Sequence, residues 1–153
     1  MREARAMDIR LIKHDKKQFL ELLLLADEQE SMIDRYLERG DLFALNDDGI
    51  KSICVVTREE PGVYEIKNIA TRPEFQSRGY GGALVEYLFD YYKGDLKTML
   101  VGTGDSPLTI TFYERCGFRI SHRVPDFFID NYDHPIIDNG IQLRDMVYLR
   151  RDA

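Results

Sequence analysis

Residues 76–82, with the sequence Gln-Ser-Arg-Gly-Tyr-Gly-Gly, have the composition of a loop that binds an anion. Glycine tolerates unusual backbone angles and lets a ligand approach the main chain closely. The loop lies between a strand-like run (65–71) and a helix-like run (83–92). The first turn of that helix offers unpaired N–H groups and the positive end of a dipole. The segment therefore predicts a phosphate site, of the kind that holds a phosphorylated cofactor.

Two common phosphate-binding motifs do not fit this loop. The dinucleotide fingerprint G-x-G-x-x-G, or Ala in its last position, fails because Leu84 stands there. The P-loop pattern G-x-x-x-x-G-K followed by Ser or Thr does not occur in the sequence. The residues alone therefore indicate an anion site without naming the ligand.

Composition narrows the class of protein. The chain has 153 residues, 44% hydrophobic and 31% charged, which suits a single domain over 1–153. Its net charge of −6 argues against nucleic-acid binding and favours a cationic second substrate. The cysteines and histidines lack metal-ligand spacing, and Cys54 reads as a core residue. The N-terminus lacks the apolar region of a signal peptide, and no apolar run would span a membrane, so we expect a cytoplasmic protein.

The pattern of apolar residues and turn signals predicts the elements that hold the loop. Pro73 ends the preceding strand, Ser106-Pro107 begins a helix, and Gly117 ends it. The predicted strands cover 8–13, 41–46, 50–58, 63–71, 97–101, 118–124 and 141–150, and the predicted helices cover 18–26, 28–39, 83–92 and 107–116. This order indicates a mixed α/β domain, with an Asp- and aromatic-rich connection over 125–140.

Three segments together resemble a known family. Gln76, Gly79 and Gly81 fit the spacing of the acetyl-CoA loop in the GNAT (GCN5-related N-acetyltransferase) superfamily. Before the loop, Asn68-Ile69-Ala70-Thr71-Arg72-Pro73 resembles the family's fourth strand and the bend after it. About thirty residues later, Phe112-Tyr113-Glu114-Arg115-Cys116-Gly117-Phe118 is similar to its second signature. The predicted order of elements matches the family over roughly the whole chain.

The resemblance implies a fold and a way of holding acetyl-CoA. The fold would be a mostly antiparallel sheet, splayed between strands 4 and 5 and flanked by helices, with the pantetheine arm between those strands. Backbone groups of the fourth strand would bind the arm, and N–H groups of the loop the pyrophosphate. Arg78 would add a charge contact or be a solvated surface residue, and Ser106 would contact the arm or only cap its helix. The residues assigned to the cofactor are Ile69, Ala70, Thr71, Gln76, Ser77, Arg78, Gly79, Tyr80, Gly81, Gly82 and Ser106.

Tyr113 and Glu65 are the expected catalytic residues. Tyr113 matches the family tyrosine that protonates the leaving thiolate, although periodicity alone would make it a packing aromatic. Glu65 fits a glutamate that several relatives use as base, and alternation places it on one face with Lys67 and Ile69. The alternative for Glu65 is an ion pair with Lys67 on a solvated face. Residues 100–104 carry no carboxylate, so Asp105, a water or a late-segment carboxylate are the other candidate bases.

The expected function is transfer of acetyl from acetyl-CoA to a primary amine, by direct attack in a ternary complex and without a metal. Residues 126–135 contain Asp126, Asp130 and Asp133 among aromatics, which suits a cationic amine, although a packed loop is the alternative. The acceptor would be a small molecule, a protein N-terminus or a lysine. A CoA-binding sensor or an adaptor without catalysis is the competing class, and a homodimer stays open.

Overall fold

The computed structural model describes residues 7–153. In this range the strands are β1 (Asp8–Ile12), β2 (Asp41–Asn46), β3 (Ile50–Glu60), β4 (Val63–Thr71), β5 (Thr98–Gly104), β6 (Arg119–Val124), β7 (Ile137–Asp138), β8 (Ile141–Gln142) and β9 (Met146–Asp152). The helices are α1 (Leu20–Ala26), α2 (Glu30–Ile33), α3 (Tyr80–Tyr91), α4 (Pro107–Arg115) and α5 (Phe127–Asn131). Short 3-10 turns cover Lys16–Phe19 and Pro73–Phe75.

The large sheet has seven strands in the order β1-β2-β3-β4-β5-β9-β6. All neighbouring strands in it are antiparallel except β4 and β5, which are parallel. Strands β7 and β8 form a separate hairpin. The predicted mixed α/β fold with a mostly antiparallel sheet is confirmed.

Helices cover both faces of the sheet. On one face, Leu84 and Leu88 of α3 pack with Met99 and Val101 of β5 and with Tyr113 of α4 in one apolar cluster. A second cluster on the other face joins α1 and α2 to β2 and β3, and its members include Leu23, Ile33, Leu42, Ile53 and Val55. Cys54 is fully buried, as predicted. The sheet is thus enclosed around β3 and β4, where the candidate site begins.

The second predicted helix is shorter than expected. The helix expected over 28–39 is α-helical only at Glu30–Ile33. After Ile33 the main-chain bonds mix three-residue and four-residue spacings, such as Arg35 N–H to the Met32 carbonyl and Gly40 N–H to the Tyr36 carbonyl, so residues 34–39 form successive turns. The buried Lys16 Nζ donates to the carbonyls of Leu37, Glu38 and Gly40 at 3.1, 3.1 and 2.6 Å and satisfies them where the turns end.

The late part of the chain also differs from its prediction. The strand expected over 141–150 is β9, at Met146–Asp152, whereas Ile141–Gln142 pairs with Ile137–Asp138 in the small hairpin. The connection before it contains α5 in place of an open loop. Residues 1–6, part of the segment used to exclude a signal peptide, lie outside the described residues. Within 7–153 no helix has the length and apolar character needed to cross a bilayer.

Candidate active site

A fork opens in the sheet between β4 and β5. Four residue pairs join the two strands, from Val63 with Thr98 to Ile66 with Val101. Beyond Ile66 the strands separate, while β4 stays paired with β3 as far as Thr71 and β5 stays paired with β9 as far as Gly104. The edge of β4 from residue 67 to 71 therefore has no strand partner on the β5 side. An extended chain could add to this edge as a short extra strand.

The glycine-rich loop lies at the end of β4 and leads into α3. The N–H groups of residues 77–82 have no acceptor among residues 7–153, and the first main-chain bond of the helix runs from the Ala83 N–H to the Gly79 carbonyl. Ser77 and Gly79 have φ of 64° and 86°, which turn the chain into the helix. Consecutive free N–H groups at a helix start make a concave anion site. The loop has the donors that a pyrophosphate needs.

Side chains around the loop have individual tasks. Gln76 Nε2 donates to the Thr71 carbonyl at 3.3 Å, which ties the loop to β4. The Tyr80 hydroxyl donates to Asp47 at 2.6 Å, so that only its N–H faces the anion site. The Arg78 guanidinium is exposed and lies 5.2 Å from the centre of the Phe75 ring, and Lys51 Nζ lies 4.4 Å from the same ring. Two cations thus flank the loop of an otherwise acidic chain.

Two of the loop glycines differ in what an added side chain would meet. A Cβ on Gly81 would lie 3.0 Å from Phe112 of α4, so Gly81 permits close helix packing. A Cβ on Gly82 would meet no atom of residues 7–153 within 4 Å. Because no protein atom requires glycine there, open space beside Gly82 is available to a ligand that approaches the backbone.

Two backbone atoms assigned to the pantetheine arm already have protein partners. The Ala70 carbonyl accepts from Ser52 Oγ at 2.8 Å, and the Thr71 carbonyl accepts from Gln76 Nε2. Each carbonyl keeps a second lone pair. The structure thus brings Ile69, Ala70 and Thr71 to the edge of the fork, with part of their bonding capacity in use.

Tyr113 lies inside the apolar cluster under α3 and α4. It is 4% exposed, and its ring contacts Phe112 and Phe118 at centroid distances of 5.0 and 5.7 Å. The helix end places it: the Gly117 N–H bonds the Glu114 carbonyl and the Phe118 N–H bonds the Tyr113 carbonyl, which is a Schellman motif. The Tyr113 hydroxyl has no hydrogen-bond partner among residues 7–153, and burial raises the pKa of the phenol. Its proton is therefore retained at neutral pH and unused within the described chain.

Glu65 lies on the opposite face of the sheet and is 7% exposed. Lys67 Nζ is 2.9 Å from its Oε2, and the Tyr148 hydroxyl donates to the same oxygen at 3.2 Å. Oε1 has no partner within the described residues. The expected Glu65–Lys67 pair is present, but on a buried face and not on a solvated one. One oxygen is held in place, and the other is available.

The predicted face of Ile69 is wrong. Asn68 pairs with Val55 and Ile66 pairs with Val56, so Lys67 is an extra residue in a β-bulge. The bulge reverses the alternation, and Ile69 packs into the cluster on the α3 face. Asn68 instead shares the face of Glu65 and bonds the Leu23 carbonyl of α1.

The other candidate bases are engaged or distant in sequence from the fork. Asp105 forms an ion pair with Arg123 at 2.8 Å, and Asp126 forms one with Arg144 at 3.2 Å.

Ser106 stands at the predicted N-cap position of α4, but its side chain makes no capping bond. A pocket of about 300 Å³ opens beside it, with Leu108 and Leu143 in its lining. The Ser106 hydroxyl is therefore available to a ligand.

The late segment docks on the junction between α1 and α2. Tyr132 donates to Asp27 at 2.8 Å, the Asp133 N–H donates to Gln29 at 3.1 Å, and His134 Nε2 lies 2.9 Å from Glu28. The two carboxylates beside His134 raise its pKa. Residues 7–153 contain no group of three or more His, Cys, Asp or Glu side chains placed to hold a metal ion.

Sequence reasoning missed Tyr148, Asp27 and Thr57. Tyr148 of β9 pairs with Gly102 of β5. A Cβ on Gly102 would lie 3.1 Å from the Tyr148 ring, so the absence of a side chain at Gly102 leaves room for the tyrosine beside the fork. Thr57 pairs with Glu65 across β3 and β4. The tyrosine and the aspartate meet the site through contacts between residues far apart in sequence, for which no local pattern exists.

Comparison with known proteins identifies the family. Residues 38–120 match the family described as acetyltransferase (GNAT) domain. The N-acetyltransferase YvbK of Bacillus subtilis is 38% identical over 147 residues, which cover 94% of this chain and 95% of the relative.

Solved structures agree with this match. A GNAT family acetyltransferase from Elizabethkingia anophelis with acetyl-CoA bound has a TM-score of 0.90 at 34% identity, over 96% of this chain and 98% of that one. A Bacillus subtilis acetyltransferase in complex with CoA has a TM-score of 0.87 at 36% identity, over 97% and 99%. The forked sheet, the loop and these matches lead to one conclusion: the chain belongs to the GNAT acetyltransferase superfamily.

Proposed function

We propose that the protein transfers the acetyl group of acetyl-CoA to a primary amine by direct attack in a ternary complex. The observation that carries this proposal is the fork between β4 and β5, with free N–H groups of residues 77–82 beside it. Two relatives more than 30% identical hold acetyl-CoA or CoA. In this proposal the protein is cytoplasmic, and residues 1–153 form a single domain.

The donor site fits the chemistry of coenzyme A. The N–H groups of residues 77–82 would bind the pyrophosphate, with Arg78 as a nearby charge. The pantetheine arm would bind to the edge of β4 at Ile69–Thr71, which has no strand partner on the β5 side. The Ser106 hydroxyl, which makes no capping bond, would also contact the arm. When bound, acetyl-CoA supplies an activated thioester carbonyl.

Glu65 and Tyr113 approach the fork from opposite faces of the sheet. In the proposed reaction Glu65 Oε1, directly or through water, takes the proton of the attacking amine. Lys67 and Tyr148 hold the other oxygen. Backbone N–H near Ile69 binds the oxyanion while the C–N bond forms. The C–S bond then breaks, and Tyr113 donates its proton to the thiolate.

The docked late segment favours a small acceptor over a protein. Its contacts with Asp27, Gln29 and Glu28 bridge the two segments beside the Glu65 face of β4. A protein N-terminus or a lysine in a folded protein needs an open groove for its flanking chain. The bridge narrows that approach, so a small amine is the first candidate and a protein acceptor the second.

Release of free CoA thiol from acetyl-CoA across an amine panel, with mass detection of the product, tests the proposal. We expect turnover with small primary amines and an acetylated product heavier by one acetyl group. Stabilisation by acetyl-CoA without turnover would favour a sensor. Absence of thermal stabilisation by acetyl-CoA would favour an adaptor, and light scattering on the same sample would decide between monomer and homodimer.

A further inference from the structure

Asn68 has a buried acceptor without a donor. The residue is 3% exposed, and its Nδ2 donates to the Leu23 carbonyl at 3.0 Å and to the Tyr36 hydroxyl at 3.1 Å. Its Oδ1 is buried and has no partner among residues 7–153. Exchanging the two amide atoms would place oxygen against the Leu23 carbonyl, so the orientation is fixed. A buried acceptor left in this state is costly unless an ordered water or a ligand donates to it.

Asp27 lies next in the same hydrogen-bond chain and has no cationic partner. Its Oδ2 accepts from Tyr36 at 3.1 Å and its Oδ1 accepts from Tyr132 at 2.8 Å. Among the described residues, no Lys, Arg or His forms an ion pair with it. Burial raises the pKa of this carboxyl group, because its charged form is partly removed from water. A carboxylate has about four acceptor sites, of which the two tyrosines and the Gln29 backbone N–H use three, so one remains for a ligand.

A second unsatisfied atom lies beside Glu65. Thr57 pairs with Glu65 on the same face, and its Oγ1 is buried without a partner in residues 7–153. This acceptor cluster (Asp27, Thr57, Glu65 and Asn68) therefore lies along one face of β4, and two of its atoms, Thr57 Oγ1 and Asn68 Oδ1, have no partner among residues 7–153. Asn68 follows Glu65 by three residues, a separation of roughly 10 Å along a strand.

Aromatic rings adjoin the Asp27 end of the cluster. Tyr132 stacks on Phe128 with centroids 5.6 Å apart, and its hydroxyl holds the carboxylate. Phenol rings beside a carboxylate suit an ammonium group, which gains a charge partner and cation–π contact. Residues 7–153 form no ion pair with Asp27 that would supply an ammonium there.

We propose that Asp27 determines acceptor specificity by binding a second ammonium group, so that the acceptor is a small diamine or polyamine whose other primary amine reaches Glu65. The inference rests on the proposed acetyltransferase function. The second ammonium stays charged at Asp27, while the amine at Glu65 loses a proton and attacks. The second ammonium would donate to the acceptor site of the Asp27 carboxylate that Tyr36, Tyr132 and the Gln29 N–H leave free.

The competing explanation is that Asp27 only ties the late segment to α1. If Asp27 has only this structural role, its loss should lower kcat/KM for every amine by the same factor. A specificity role changes the preference between amines that differ only in the second ammonium. The ratio of two kcat/KM values therefore separates the explanations.

The test compares butylamine with 1,4-diaminobutane and spermidine at saturating acetyl-CoA, by thiol release. We expect kcat/KM of the wild type to be at least tenfold higher for 1,4-diaminobutane and spermidine than for butylamine. Asp27→Asn should lower this ratio of kcat/KM values at least tenfold. Asp27→Glu keeps the charge and should retain much of the preference. Asp34→Asn is the matched control, because its exposed carboxylate pairs with Lys17 outside the cluster, and its ratio should equal that of the wild type.

Several results would overturn the proposal. An equal loss with all three amines in Asp27→Asn would make Asp27 a structural tie. A wild type that prefers butylamine or a peptide would contradict the substrate class while leaving the transferase function intact. If no amine gives turnover, the proposed function fails, and calorimetry of spermidine with the CoA-bound wild type and Asp27→Asn decides separately whether Asp27 binds polyamines.

Discussion

The two ends of the site are built from opposite deficits. At the donor end, residues 77–82 present N–H groups without acceptors. At the proposed acceptor end, Asn68 Oδ1 and Thr57 Oγ1 are buried without a partner among residues 7–153. The unpaired N–H groups at the donor end belong to exposed backbone and suit a phosphate. Backbone N–H groups are the same for nearly all residue types, so they do not depend on particular side chains. The second deficit is in buried side chains, so its ligand is selected by the particular residues that line it.

In the proposed reaction, the fork in the sheet would allow the two ends to act on one thioester. Tyr113 lies on the α3 and α4 face of the sheet, and Glu65 lies on the α1 face. A continuous β4–β5 ladder would keep these faces apart. Separation of the strands after Ile66 and Val101 removes that barrier.

The largest expected effect is at the acceptor end. Glu65→Gln should lower kcat about a hundredfold or more, because the amide cannot take a proton from the amine. Thiol release under saturating substrates measures this loss. Glu59→Gln is the matched control, since Glu59 also contacts Lys67, at 3.3 Å, and lacks the Tyr148 bond. Activity within threefold of the wild type in Glu65→Gln would assign the base to water, Asp105 or a late-segment carboxylate.

Tyr113→Phe should have the next largest effect, a fall in kcat of roughly tenfold to a hundredfold. The Tyr113 hydroxyl makes no hydrogen bond within 7–153, so its removal should leave the melting temperature unchanged or raise it. Steady-state kinetics and thermal melts measure both. Tyr148→Phe gives the comparison, because Tyr148 holds Glu65. Full activity in Tyr113→Phe with loss in Tyr148→Phe would move the acid to Tyr148.

Two neighbouring glycines separate ligand contact from packing at the donor end. Gly82→Ala should raise KM for acetyl-CoA severalfold, while alanine in the helix adds up to about 1 kcal/mol of stability. Gly81→Ala should lower the melting temperature, because its Cβ would lie 3.0 Å from Phe112. Acetyl-CoA titrations and melts of both variants test the distinction. An unchanged KM in Gly82→Ala would mean that the pyrophosphate lies elsewhere.

The same contrast explains how much the sequence could predict. The loop and the Gly117 helix end depend on residues adjacent in sequence, so spacing and glycine positions predict them. The face of Ile69 was wrong because a bulge at Lys67 has no sequence signature here. The bond of Tyr148 to Glu65 spans 83 positions, and that of Tyr132 to Asp27 spans 105. Such contacts exist only once the sheet is assembled, and so the acceptor end could not be predicted.

The smallest expected effect concerns the ion pairs of His134, which join the late segment to the junction between α1 and α2. His134 contacts Glu28 and Asp133, and these carboxylates raise its pKa. A raised folded-state pKa stabilises the fold fully below the unfolded value, about 6.5, and the contribution is lost as pH rises through the folded value. His134→Gln should therefore lower the melting temperature at pH 6 by a few degrees or less, and by a smaller amount at pH 9. High salt should shrink the difference, since the pair is exposed. A difference independent of pH and salt would mean that imidazole packing, and not its charge, holds the late segment over Asp27.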